Sequence, residues 1–185
     1  MTPALEALYA EPSRRYHTRR HIDDCLEKLA AWASLSEAER RILIWAIWWH
    51  DAVYDPSGSD NEAKSAEMAR RDLPALGASP AEVESVARLI MLTAGHQVEP
   101  GDRLAEVLVS IDLSILAAAE ADYDNYARQV RQEYAHVPDE FWRPGRAAVL
   151  RKFLDAPMIF PDADFRARHE ATARANLARE IAALS

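Results

Sequence analysis

Residues 42–51 read ILIWAIWWHD, an apolar and aromatic run that ends directly in the polar pair His50-Asp51. The run predicts a helix whose end lies in the protein core, so both polar side chains need partners there. A metal ion suits both at once, because imidazole and carboxylate groups are common metal donors. The alternative is a helix end at which His50 and Asp51 bond only to nearby backbone groups.

The length of 185 residues and the hydrophobic content of 49% are enough for one domain with a substantial core. Charged residues make up 28% of the chain, with both signs interspersed and no long polar tract. We therefore expect a single domain over residues 1–185, with no linker that divides it.

The net charge of -8 disfavours a large nucleic-acid-binding face, which needs a basic surface. It is compatible with a small phosphorylated ligand held by a local basic patch. Cys25 is the only cysteine, so no internal disulfide can form, and the N-terminal residues do not resemble a signal peptide. No segment approaches the roughly 20 apolar residues of a membrane span. These features predict a cytoplasmic protein without a membrane partner, and the five tryptophans leave self-association open.

The chain has only five glycines, and most prolines lie between periodic segments, which is typical of a helical protein. No segment alternates apolar and polar residues as a half-buried strand does. We predict an all-α, single-domain helical bundle. Its helices are expected at about residues 2–10, 18–33, 36–50, 60–73, 80–93, 102–116, 120–136, 138–154 and 161–183.

Three of the predicted helix starts carry capping signals. Ser36 is followed by Glu39, and Ser59 by Glu62, which is the spacing of a capping box. Ser79-Pro80 places a capping residue before a first-turn proline.

Two further polar residues lie on or beside apolar helix faces. Asp112 falls in the middle of the apolar arc of residues 104–116, where a carboxylate needs a compensating partner. A nearby arginine or tyrosine is the alternative to a metal ion as that partner. His21 lies at the edge of the apolar arc of its own helix, whereas His17 lies further toward the polar side. Both could approach a site, and His21 is the better placed.

Together, His21, His50, Asp51 and Asp112 offer two nitrogen and two oxygen donors, which can hold one divalent ion. In this order the set resembles the HD-domain superfamily of metal-dependent phosphohydrolases. It is most similar to a small bacterial branch described as predicted metal-dependent HD phosphohydrolases. The resemblance runs from about residue 9 to 177 and rests on segments within residues 15–22, 49–55, 60–66, 90–96, 112–116, 131–134 and 145–146.

The resemblance implies that His21, His50, Asp51 and Asp112 bind one divalent transition metal. Manganese, iron, cobalt, nickel and zinc are all compatible with the mixed donor set. It also implies an all-helical HD-type domain that hydrolyses a small phosphate ester or a nucleotide by means of a metal-activated water. Two alternatives stay open: a sensor that binds metal and nucleotide without cleaving, and an oxygenase with two irons.

Proton transfer requires a further group, for which Asp55, Glu62 and His96 are the candidates. In related alarmone hydrolases an acidic pair follows the His-Asp step, but here Tyr54 takes the first place of that pair, which disfavours alarmone hydrolysis. Glu62 has an alternative role in its capping box. His96 is the only histidine between the His-Asp pair and the final aspartate, which favours one metal ion over two. The alternative for His96 is a loop histidine without a role.

The phosphate of a substrate needs cations, and a guanidinium can grip two oxygens at once. The candidates are Arg15, Arg19, Arg20, Lys64, Arg131 and Arg146. We expect one or two of them to face the site and the others to be surface or salt-bridge residues. The polar residues within 122–126 and 131–134 are attributed mostly to exposed surface.

Overall fold

A computed structural model describes residues 2–184, and all regular secondary structure in this part is helical, which confirms the all-α prediction. The α-helices of this part are α1 (Pro3–Leu8), α2 (Arg19–Ala30), α3 (Glu37–Trp49), α4 (Asn61–Asp72), α5 (Pro80–Thr93), α6 (Arg103–Asp112), α7 (Glu120–Glu133), α8 (Asp139–Leu154) and α9 (Ala163–Leu184). Short 3-10 helices, Leu73–Leu76 and Leu113–Ala117, follow α4 and α6. None of the helices in residues 2–184 combines the length and the apolar character needed to cross a bilayer.

Two of the three predicted helix starts are confirmed. Ser36 forms a capping box at the start of α3, and Ser79 forms one before Pro80 at the start of α5. The capping box predicted for Ser59 and Glu62 is wrong. Helix α4 begins one residue later than that box requires, so Glu62 is its second residue rather than its third and no side-chain cap forms.

The core has two neighbouring parts. In the first, α2 to α6 pack around α3, where Leu43, Ile47 and Trp49 are completely buried. In the second, the 3-10 helix after α6 packs with α7, α8 and α9 around Phe160 and Leu177. Helices α2, α3 and α6 contact one another, and α6 contributes side chains to both parts of the core. This packing brings the start of α2 close to the ends of α3 and α6.

Candidate metal centre

Four side chains meet where the start of α2 and the ends of α3 and α6 converge. The Nε2 atoms of His21 and His50 are 3.2 Å apart. His50 Nε2 lies 3.1 Å from Oδ2 of Asp51 and 3.5 Å from Oδ1 of Asp112. His21 Nε2 lies 3.2 Å from the same oxygen of Asp112. The structure thus brings all four predicted ligands together, and the donor atoms of His21, His50 and Asp51 lie close enough to one another to hold a metal ion.

The His50 ring is oriented for metal binding by the helix that precedes it. Its Nδ1 donates a hydrogen bond of 2.8 Å to the carbonyl oxygen of Ile47, so Nε2 of the neutral ring carries the lone pair that faces the cluster. The side chains of His21 and His50 are only 4% and 2% exposed, whereas those of Asp51 and Asp112 are 19% and 15% exposed. The donor set therefore has a buried nitrogen side and a partly open oxygen side, which fits an ion that also meets solvent or substrate.

The charges of the cluster are strongly coupled in the metal-free fold. Burial disfavours a charged His50 ring, but Asp51 and Asp112 together outweigh burial and raise the pKa of His50 well above its ordinary value. Burial likewise opposes ionisation of Asp51 and Asp112, yet the histidines lower the pKa of each carboxyl group. Without metal, a protonated imidazole compensates the two carboxylates.

Metal binding at this centre is expected to strengthen as the pH rises. Because the pKa of His50 is raised, its ring carries a proton near neutral pH, and a metal ion must displace that proton. Raising the pH reduces the protonated fraction, so the apparent affinity for manganese increases and fewer protons leave per ion bound. Calorimetric titration in buffers of different ionisation enthalpy measures both quantities. An affinity that stays constant from weakly acidic to mildly alkaline pH contradicts the assignment of His50 as a ligand.

His96 joins the cluster from the loop after α5. Its Nε2 lies 3.1 Å from Oδ2 of Asp112, the carboxylate oxygen opposite the one that faces the two buried histidines. Its backbone φ of 53° lies in the left-handed region, which is uncommon for a residue other than glycine. The surrounding structure therefore holds His96 in a costly conformation, which is typical of residues at functional sites.

The two predicted proton-transfer carboxylates lie in different surroundings. The exposed Asp55 side chain accepts hydrogen bonds from the backbone N–H and the hydroxyl of Ser57, which lower the pKa of Asp55 and close a turn. Glu62 is half-buried at the start of α4. Neither has a hydrogen bond or ion pair with the four-residue cluster in the described part of the chain, so their catalytic role stays a prediction.

The residues that follow the His-Asp pair hold its loop in place. The buried Ser65 hydroxyl accepts a hydrogen bond of 3.0 Å from the backbone N–H of Val53. The Asn61 side chain bonds to both the N–H and the carbonyl of Asp55. Asn61 and Ser65 thus secure the chain between α3 and α4, directly after His50 and Asp51.

Arg14 is a supporting residue that the sequence did not single out. Its side chain is 1% exposed, and its guanidinium donates to the carbonyl oxygens of Asp51 at 2.7 Å and Ala52 at 2.9 Å. It also donates to the carbonyl of His17 at 3.1 Å. These bonds satisfy buried carbonyls just after α3 and join that loop to the segment before α2.

Glu133 is a second supporting residue, and it is an exception to the exposed surface that was expected for most polar groups of its segment. Its side chain is fully buried at the end of α7. Oε1 accepts hydrogen bonds from the backbone N–H groups of Arg15, Tyr16 and His17. Oε2 accepts from His17 Nδ1 at 2.7 Å and from the Tyr54 hydroxyl at 3.0 Å. Burial alone would raise the pKa of Glu133, but these donors, led by His17, lower it to about 2.

Cys25 lies one helical turn after His21 on the same face of α2. Its Sγ is 3.8 Å from Nδ1 and 3.9 Å from Nε2 of His21. With His21 and Asp112 it forms a second group whose donor atoms could hold a metal ion. Burial raises the pKa of Cys25 well above its ordinary value, so the thiol is neutral in the metal-free fold. The four-residue spacing from His21 was the signal available in the sequence.

The six predicted phosphate-binding cations are engaged elsewhere. Four of them form ion pairs: Arg19 with Glu6 and Asp23, Arg20 with Asp24, Lys64 with Asp60, and Arg146 with Glu180. Arg15 donates hydrogen bonds to the carbonyls of Pro12 and Arg14. Arg131 donates to the carbonyls of Tyr134 and Val137 and to the side chain of Asp139. Within residues 2–184, none of the six has a hydrogen bond or ion pair with the cluster. The nearest partners of all six are other carboxylates and carbonyls, at distances that extend to the 4.0 Å between Arg20 and Asp24.

Comparisons of the chain with protein-family models, with curated proteins and with solved structures found no match.

Proposed function

We propose that the protein is a metal-dependent phosphohydrolase of the HD type that cleaves a small phosphate ester or a nucleotide in the cytoplasm. The observation that carries the proposal is the convergence of His21, His50, Asp51 and Asp112 at one partly open point. Two imidazoles and two carboxylates suit manganese, iron, cobalt, nickel or zinc. The exposed edges of the carboxylates leave room for a substrate to approach.

The residues around the cluster have separable roles in this proposal. When bound, a divalent ion polarises a phosphoryl oxygen and makes water nucleophilic near neutral pH. The Ile47 carbonyl orients His50, and His96 holds one oxygen of Asp112. Of the three predicted proton-transfer residues, His96 is the one that contacts the cluster, and its side chain is 20% exposed.

The test is phosphate release from a panel of nucleotides and phosphate esters, with manganese, cobalt or nickel supplied to the purified protein. We expect hydrolysis with at least one metal and its loss in Asp112→Ala, because that substitution removes a carboxylate shared by three histidines. His136→Ala alters an exposed histidine on the loop after α7 and is the matched control. Full activity of Asp112→Ala would overturn the proposed site.

A metal-binding sensor is the second candidate. The observation that favours it is that all six predicted phosphate-binding cations are occupied by other partners. A protein that binds one metal ion and a nucleotide, but cleaves nothing in a broad panel, would support the sensor. Two bound ions per chain with oxygen consumption would instead support an oxygenase.

A further inference from the structure

His17 lies beside the candidate metal centre with one ring nitrogen committed and the other free. Its Nδ1 donates to Oε2 of Glu133 at 2.7 Å, since a carboxylate can only accept. Nε2 lies on the other side of the ring, and within residues 2–184 no hydrogen bond reaches it. The His17 side chain is 21% exposed, whereas that of Glu133 is fully buried. The buried Glu133 carboxylate thus holds the partly exposed His17 ring by a hydrogen bond.

Neighbouring aromatic groups and backbone bonds fix the orientation of this imidazole. Its ring stacks on Tyr54, with centroids 4.1 Å apart and planes 26° apart, and the Tyr54 hydroxyl donates to the same Glu133 oxygen. Tyr16 meets the ring edge-on at 5.0 Å. The backbone N–H of His17 bonds to the other oxygen of Glu133. The free nitrogen is therefore held in a defined direction, as in a preformed binding site.

Two observations place His17 at the margin of the cluster. The centroids of the His17 and His21 rings are 6.2 Å apart, in an edge-on arrangement. The Tyr16 ring also contacts both of these rings, with its centroid 5.0 Å from that of each. His17 is therefore close enough to meet a ligand that also contacts the metal centre.

The phosphate of a substrate needs donors other than the metal ion, and the predicted arginines and lysine have other partners. Arg14, the buried cation nearest to the loop, uses its guanidinium on the carbonyls of His17, Asp51 and Ala52. His17 Nδ1 already donates to Glu133, so Nε2 can donate to a ligand when that ligand supplies the second ring proton, as a protonated phosphate does.

We propose that His17, held by Glu133, is the phosphate-binding residue of the metal centre and donates from Nε2 to a phosphoryl oxygen of the substrate. This inference rests on the proposed function for the identity of its ligand. In it, Glu133 is a positioning residue, because it acts only through His17 and the backbone of the segment before α2.

The test is calorimetric binding of inorganic phosphate to manganese-loaded full-length protein. In His17→Asn, the shorter amide can replace the Nδ1 donor to Glu133 but places nothing at Nε2. We expect this variant to keep its manganese and its melting temperature, and to bind phosphate roughly 10- to 100-fold more weakly, as for the loss of one charged hydrogen bond. In His17→Gln, the amide can reach the Nε2 position and is expected to restore part of the affinity. His136→Asn is the control for loss of an exposed histidine.

If His17→Asn folds, retains manganese and binds phosphate as tightly as the unmodified protein, the inference is wrong. If that variant does not fold, Glu133→Gln tests the inference instead. Its amide keeps an acceptor oxygen, but the substitution removes the negative charge beside the His17 ring. We then expect phosphate affinity to fall several-fold while manganese content is unchanged. Unchanged affinity in a folded Glu133→Gln rejects the inference equally.

Failure of this inference can be distinguished from failure of the proposed function. If phosphate esters are hydrolysed and His17→Asn changes neither KM nor phosphate affinity, the hydrolase stands and the role of His17 is rejected. If no ester is hydrolysed but phosphate binding depends on His17, the role stands in a protein that binds without cleaving. When both hold, His17→Asn raises KM by roughly tenfold or more.

Discussion

Replacement of His50 by alanine is expected to abolish binding of one manganese ion and the stabilisation that accompanies it. The His50 ring is the most central donor, because its Nε2 lies within 3.5 Å of His21, Asp51 and Asp112. Free metal at about 1,000 times its Kd stabilises a folded protein by about 4 kcal/mol. For a chain of this size, that raises the melting temperature by about 10 °C. The variant should show no such rise.

The measurements are metal content after dialysis and thermal melting with and without manganese. His136→Ala controls for the loss of a histidine, because its side chain is exposed on the loop after α7. A His50→Ala protein that still holds one ion and gains the same melting temperature shows that the ion binds elsewhere. The group formed by His21, Cys25 and Asp112 would then be the next site to test.

Replacement of Glu133 by leucine is expected to lower the free energy of unfolding by about 3–5 kcal/mol, as for other losses of a buried charged partner. The change leaves three backbone N–H groups, His17 Nδ1 and the Tyr54 hydroxyl without their acceptor. The segment that positions His17 and leads into α2 loses its attachment to α7. Urea denaturation monitored by tryptophan fluorescence measures the change.

Two controls separate this effect from a general one. Glu133→Gln keeps an acceptor and should lose distinctly less stability than the leucine variant. Glu140→Leu alters an exposed glutamate in the first turn of α8 and should cost less than about 1 kcal/mol. A loss below about 1 kcal/mol in Glu133→Leu contradicts the role assigned to this buried carboxylate.

Local patterns in the sequence were sufficient to predict the helices and to name candidate donors, whereas the choice of four ligands rested on the resemblance of the sequence to a known family. The apolar run of residues 42–49 predicts a buried helix, and the spacing of Ser36 and Glu39 marks its start. Asp112 could be identified because a carboxylate within an apolar arc requires a partner. These signals span at most a few helical turns, so they can be read without knowing how the helices pack.

Local sequence patterns did not predict the contacts of side chains whose partners are distant in the chain. Glu133 lies in a polar stretch that resembles a solvated face, but its side chain bonds to residues 116 to 118 positions away. Arg14 similarly donates hydrogen bonds to backbone carbonyls 37 and 38 positions away. The sequence could not show which of the predicted phosphate-binding cations face the site, because the acceptors that bind each guanidinium are determined by the tertiary structure.

By itself, the sequence determined that the chain is helical, where most of its helices begin, and which histidines and aspartates could serve as metal donors. Periodicity and capping depend on neighbours within a few residues, which is why these properties could be inferred. Only the tertiary structure decided that the four donors meet, that His96 reaches Asp112, and that Glu133 orients His17. Those contacts depend on how α2, α3, α6 and α7 are placed relative to one another, and that placement is set by packing of the whole core.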